Sequence, residues 1–214
     1  YELLKLENEE ETLEVIALNP GKEKALIYFG GNAEAVVYNA DDFLTAFPLH
    51  TVYLLNYRGY GGSSGQPTEK GIYSDALSLF DKVQEKQAII SVMGRSLGSG
   101  AATYLASKRS VEKMVLVSPY DSIKNVAQNK FPIYPMFLLL KDKYDSIGRV
   151  KEIQAKTIVL MAENDEVIPK KHSLRLISEF PPEQITVKTI SNTGHNDISN
   201  KMEYYDHLRS FLNN

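Results

Sequence analysis

The segment Gly94-Arg95-Ser96-Leu97-Gly98 sets a serine between two glycines, each two residues away. It follows the apolar run Ala88–Met93 and precedes the small-residue, helix-forming run Ala101–Ala106, so the serine sits where a strand turns into a helix. A sharp turn there lifts the hydroxyl clear of the backbone and leaves the first amides of the helix free to receive negative charge. Glycines on both sides let the helix pass close to neighbouring strands. Such a serine could attack an acyl carbonyl if the chain also supplies a base, an acid to orient it and a second amide donor. A plain tight turn uses the same residue types, so the partners decide.

The search for a base is short, because the chain has 4 histidines. His195 stands in Gly194-His195-Asn196-Asp197 just after an apolar strand, where loop catalysts sit. His50 opens a strand, and His172 and His207 lie in helical segments where a solvated face is the expected role. For the acid, Asp165 follows the buried run Thr157–Met161 and precedes Val167-Ile168-Pro169, a rigid stop that would fix its loop. Asp121, just after the strand ending at Ser118, is a rival acid, whereas Glu163 and Glu166 read as solvated. Arg58, in a glycine-rich loop, suits either a substrate carboxylate or a loop-fixing salt bridge. Arg95 could point to substrate or to a neighbouring acid. With it, Tyr57, Tyr60, Tyr120, Tyr134, Met136 and Phe137 could line an apolar acyl pocket, although aromatic residues as often fill core.

These residues need elements to position them. Residues 1–18 alternate apolar and charged positions and read as two antiparallel edge strands. Runs at 24–29, 51–57, 88–93, 113–118, 157–161 and 185–190 read as further strands. Between them lie helical patterns: one through Tyr38, Phe43, Leu44 and Phe47, one capped by Thr68, and the one after Ser96. Two more run over 174–180 and 202–211. Near-continuous apolar strands alternating with amphipathic helices predict an α/β fold, a mostly parallel sheet covered on both faces. In such a sheet the loops leaving the strand C-termini gather along one edge, and Gly30-Gly31-Asn32, Ser96, Asp165 and His195 all lie in such loops.

At 214 residues, without an internal repeat or linker, the chain reads as one domain (1–214), with 120–152 as a minimal cap-like region. A net charge of −3 with no dense Lys/Arg run argues against nucleic acid as a partner. No apolar stretch is long enough to span a bilayer. The chain begins at Tyr1, which leaves room for a preceding signal or anchor, so the compartment stays open between cytoplasmic, exported and membrane-tethered. With 0 cysteines, disulfides, a thiol nucleophile and thiolate metal sites are excluded. The sequence sets no oligomeric state.

Phe29-Gly30-Gly31-Asn32-Ala33, Asn56-Tyr57-Arg58-Gly59-Tyr60-Gly61, the serine turn, Ser118-Pro119-Tyr120, Asp165-Glu166-Val167-Ile168-Pro169 and Gly194-His195-Asn196-Asp197 together resemble the α/β-hydrolase family. The likeness is to its small, lidless branch, related to serine-peptidase-like and protein-depalmitoylating hydrolases, and it covers most of the chain from 24 to the end. The order Ser96, Asp165, His195 is the one this family uses. One departure is Gly30, where the branch usually has a histidine; a local change in loop packing is expected there.

The resemblance implies a nucleophile at Ser96, a base at His195 and an orienting acid at Asp165, with the backbone N–H groups of Leu97 and Asn32 holding the oxyanion. No metal or cofactor is implied. The expected substrate is a small-molecule or lipid-like acyl ester or thioester. A serine peptidase or amidase with the same residues, and a catalytically silent binding module on the same fold, are the alternatives.

Overall fold

A computed structural model describes residues 1–213. The apolar runs form eight strands: β1 (Glu2–Asn8), β2 (Glu11–Leu18), β3 (Lys24–Phe29), β4 (His50–Leu55), β5 (Ile89–Arg95), β6 (Lys113–Val117), β7 (Lys156–Ala162) and β8 (Ile185–Ile190). They make one sheet in the order β1-β2-β4-β3-β5-β6-β7-β8. The β1–β2 hairpin is antiparallel and docks antiparallel on β4; every other pairing is parallel.

Seven helices join them: α1 (Ala40–Ala46), α2 (Glu69–Gln84), α3 (Leu97–Lys108), α4 (Ile123–Lys130), α5 (Met136–Leu139), α6 (Lys170–Ile177) and α7 (Met202–Asn213). Successive strand residues point to opposite faces and feed two cores. Ala25, Ile27 and Phe29 pack with residues of α2, α3 and α6 on one face. Leu26 and Tyr28 pack with α1 and α7 on the other. Burying a side chain of this size contributes about 1.5–3 kcal/mol, which is why these strands show no polar alternation. The α/β architecture with both faces covered is the one expected from the sequence. Among the described residues, no helix is long and apolar enough to cross a membrane.

Several boundaries differ from the sequence expectation. Only β1 is an edge strand of the N-terminal pair, because the buried side of β2 (Leu13 to Leu18) lies between β1 and β4. The helix expected from Tyr38 begins at Ala40; Val36–Asn39 is a 3₁₀ turn closed by the Asn39 side chain on the Val36 carbonyl, 3.1 Å away. α6 starts at Lys170, directly after Pro169, rather than near Leu174. Proline suits a helix entrance because its missing N–H would have had no partner there. Thr68 caps α2 as expected, its side chain accepting from the Gly71 N–H at 3.1 Å.

Candidate active site

β5 ends at Arg95 and α3 begins at Leu97, so the whole reversal falls on Ser96. Its backbone sits at φ 51° and ψ −117°, a region that costs a non-glycine residue about 1–3 kcal/mol unless the surroundings hold it. They do: the Ser96 N–H donates to the Val117 carbonyl at 2.8 Å, and the Ser96 carbonyl accepts from the Ser99 N–H at 2.9 Å and its hydroxyl at 2.7 Å. Gly98 permits the turn because a Cβ there would lie 2.0 Å from the Phe29 carbonyl oxygen; α3 crosses β3 in van der Waals contact.

Three loops from the same sheet edge converge on this serine. Ser96 Oγ lies 2.9 Å from His195 Nε2, and His195 Nδ1 lies 2.9 Å from both carboxylate oxygens of Asp165. With Asp165 accepting from Nδ1–H, Nε2 carries the lone pair and can accept a hydrogen bond from the Ser96 hydroxyl. The Asp165 loop is fixed by its own carboxylate, which also accepts from the N–H groups of Val167 (3.1 Å) and Ile168 (2.8 Å). Burial pushes this carboxyl upward, but hydrogen bonds from His195 and the Ile168 amide outweigh it and hold the group below the ordinary carboxylate range.

The loop after β3 closes the other side of the site. The backbone N–H groups of Asn32 and Leu97 make no hydrogen bond within the chain among the described residues. The Gly31 N–H, by contrast, is taken by Glu34 at 2.6 Å. Glu34 is the residue that sequence reasoning missed. Its carboxylate also accepts from Tyr28 Oη (2.7 Å) and Asn39 Nδ2 (2.8 Å) and pairs with Arg95 at 3.5 Å. Arg95 in turn donates to the carbonyls of His195 (3.2 Å) and Asn196 (3.4 Å). The two residues thereby tie the loop after β3, the serine turn and the histidine loop together. The one available signal was an acid three residues beyond Gly31, and an acid in a loop ordinarily reads as solvated.

These groups border a cleft of about 420 Å³ lined by Gly31 to Glu34, Arg95, Ser96, Val167, His195 and Asn196. A larger cavity of about 650 Å³ lies at the opposite ends of the strands, lined by Lys113, Lys156, Lys188, His207 and Ser210 among others; its histidine meets Glu203 at 3.2 Å rather than a serine. Of the expected pocket residues, Arg95 lines the cleft. Tyr60 stands at its margin, its hydroxyl 3.2 Å from Asn32 Oδ1. Tyr57 and Tyr120 are core residues; Tyr57 donates to the Gly30 carbonyl at 2.8 Å and Tyr120 to the Leu97 carbonyl at 3.0 Å. Tyr134, Met136 and Phe137 lie on the α4–α5 segment, outside the cleft lining.

Other expectations resolve similarly. Arg58 fixes its loop through a buried two-pronged pair with Asp75, at 2.8 and 2.7 Å. His172, expected on a solvated face, is buried against Asp121 at 2.9 Å, so the rival acid serves a different histidine. At Gly30, a Cβ would come within 2.8 Å of Val36 and 3.3 Å of the Glu34 carboxylate carbon. Those side chains occupy the space that a larger residue would need, which is the local repacking expected at that position.

Comparisons with known proteins agree with this architecture. No family model matches the chain. It is 32% identical to an uncharacterized protein of Mycobacterium tuberculosis over 90% of this chain and 70% of that one. It is 30% identical to the alpha/beta hydrolase domain-containing protein aho-3 of Caenorhabditis elegans, over 90% of this chain and 58% of that protein. An esterase of Pyrococcus furiosus superposes with a TM-score of 0.80, covering 100% of this chain and 91% of its own at 17% identity. In sheet, serine turn and relatives alike, the chain belongs to the α/β-hydrolase family.

Proposed function

We propose that this hydrolase cleaves acyl esters or thioesters through a covalent acyl-Ser96 intermediate. The observation that carries the reading is His195, bridging Ser96 and Asp165 at 2.9 Å on each side at the mouth of a cleft. In the proposed sequence Ser96 Oγ attacks the acyl carbon while its proton passes to His195 Nε2. The carbonyl oxygen takes the negative charge and is held by the Leu97 and Asn32 N–H groups. His195 then protonates the leaving alcohol or thiol, and water, activated by the same imidazole, releases the acid. Each oxyanion donor contributes about 3–4 kcal/mol to such a transition state.

An ester or thioester suits the cleft better than a peptide terminus. Its charged side chains, Glu34 and Arg95, are spent on each other and on the backbone. The test is labelling with a fluorophosphonate, wild type beside Ser96→Ala, with the modified peptide located by mass spectrometry. Stoichiometric labelling at Ser96 alone is expected. A folded wild type that takes no label would leave the silent binding module as the better reading.

A further inference from the structure

The segment joining β6 to β7 holds an apolar run that is not buried as the central strands are. From Phe131 to Leu140 it carries no charged or amide side chain. Yet no residue of α4 or α5 is buried. Phe131, Ile133, Tyr134, Phe137, Leu138 and Leu139 all stand in solvent, with Ile133 at 90% and Leu138 at 72% exposure. An exposed apolar cluster of this kind marks a contact surface.

What would cover it follows from three properties. First, part of its backbone is satisfied from within: the Gln128 side chain donates to the carbonyls of Phe131 (3.4 Å), Pro132 (3.2 Å) and Tyr134 (3.0 Å) and accepts from the Met136 N–H (3.1 Å). A loop settling at a bilayer surface is helped by this, since fewer of its carbonyls then depend on water. Second, lysines flank the apolar run, Lys124 and Lys130 before it and Lys141 and Lys143 after; the acids beside them, Asp142, Glu69 and Asp145, accept from the N–H groups of Glu69 (3.0 Å), Lys143 (2.6 Å) and Gly148 (3.4 Å). Lys170 and Lys171 of α6 add to this side, Lys171 reaching the Asn129 side chain. The chain as a whole is −3, so this local positive charge opposes the overall balance. Third, the apolar surface offers no hydrogen-bonding side chain other than the Tyr134 hydroxyl, whereas protein interfaces intersperse polar partners.

We infer that the α4–α5 segment is a wedge that docks the protein on an anionic bilayer surface, its apolar tip in the headgroup region and its lysines on the lipid phosphates. Apolar insertion and cationic attraction are the two signals that make reversible anchoring stable. Because α4 leaves the strand edge that carries Ser96, docking brings the cleft side toward the lipid.

The test is co-sedimentation of the purified chain with vesicles of phosphatidylcholine alone and with about one-third phosphatidylserine. Binding to the anionic vesicles that weakens at high salt is expected. Ile133→Asp with Leu138→Asp should lower partitioning at least about tenfold, and Lys130→Ala and Lys141→Ala should lower it about fivefold each. Sedimentation needs no turnover, so it reads the wedge whether or not the hydrolase reading holds. Melting curves and the rate on a soluble short-chain ester, unchanged in the Ile133/Leu138 variant, show that its fold is intact. Wild type that ignores anionic vesicles would overturn the inference. So would variants that bind as wild type does, or a dimer in solution that the Ile133/Leu138 variant abolishes.

Discussion

Two histidine–carboxylate pairs sit side by side at the C-terminal edge of the sheet, and only one faces a serine. His195–Asp165 and His172–Asp121 have the same 2.9 Å separation, and both aspartates follow a buried strand. The difference lies on the far side of each ring. His195 presents Nε2 to Ser96 Oγ at a cleft, whereas His172 Nε2 is buried with no hydrogen-bond partner among the described residues. The carboxylates differ as well. Asp121 is fully buried and is held by the Ser122 N–H, the Asn125 side chain and, at 3.6 Å, Arg175. A His–Asp pair therefore says nothing about chemistry until the second nitrogen is accounted for; His172 and Asp121 fasten α6 to the loop after β6.

The largest expected effect is on the serine that separates the pairs. Ser96→Ala should lower the turnover of an activated ester by at least about 10⁴-fold with an unchanged melting temperature. A rate near wild type in a clean preparation would erase the distinction drawn above. Next, Asp165→Asn should lower kcat by about 10⁴-fold with little loss of stability. Asp121→Asn should do the reverse, leaving the rate within a few-fold and destabilising the fold by about 1–3 kcal/mol through its buried partners. If the two variants exchanged these effects, the acid would be misassigned.

Arg95→Met sharpens the comparison differently, because Arg95 holds the His195 loop by its backbone carbonyls and pairs with Glu34, whereas the arginine at the other pair, Arg175, meets the Asp121 carboxylate. A displacement of about 1 Å in the imidazole would cost up to about 100-fold in kcat with a smaller change in KM. The smallest effect belongs to a third buried histidine, His50. Burial, then Lys24 and Lys113, lower it from 6.5 to about 4, so it is neutral in the folded state. The unfolded chain takes up the proton first. His50 thus contributes full stability above about pH 6.5, which is lost as the pH falls toward about 4, by about 1–2 kcal/mol after solvent screening. Urea melts across that range should show this slope in wild type and not in His50→Gln.

Much of the site was legible because Ser96, Asp165 and His195 each follow an apolar run, and a parallel sheet delivers such loops to one edge. What was not legible depended on which groups share space across the fold. Nothing in the residues around His172 distinguishes a solvated helix face from burial against Asp121, because their partnership spans two loops. Glu34 escaped for the same reason: its partners Tyr28, Asn39 and Arg95 come from three separate segments. The aromatic residues were ambiguous because burial, not type, separates Tyr57 in the core from Tyr134 on the surface. The helix start at Lys170 was obscured by polar residues that the apolar pattern does not register, and the one at Ala40 by Tyr38, an exposed aromatic in the preceding 3₁₀ turn.

The strand that delivers His195 lies at the edge of the sheet opposite β1. β8 pairs with β7 alone, and its residues Thr186 to Lys188 are exposed. Edges open before centres, since fraying there breaks few buried contacts. A brief release of β8 would carry the imidazole away from Ser96 while the serine turn, locked between β3, β6 and α3, stayed intact. On warming, the enzyme should therefore fall silent reversibly some degrees below its melting point, with the sheet's centre still folded.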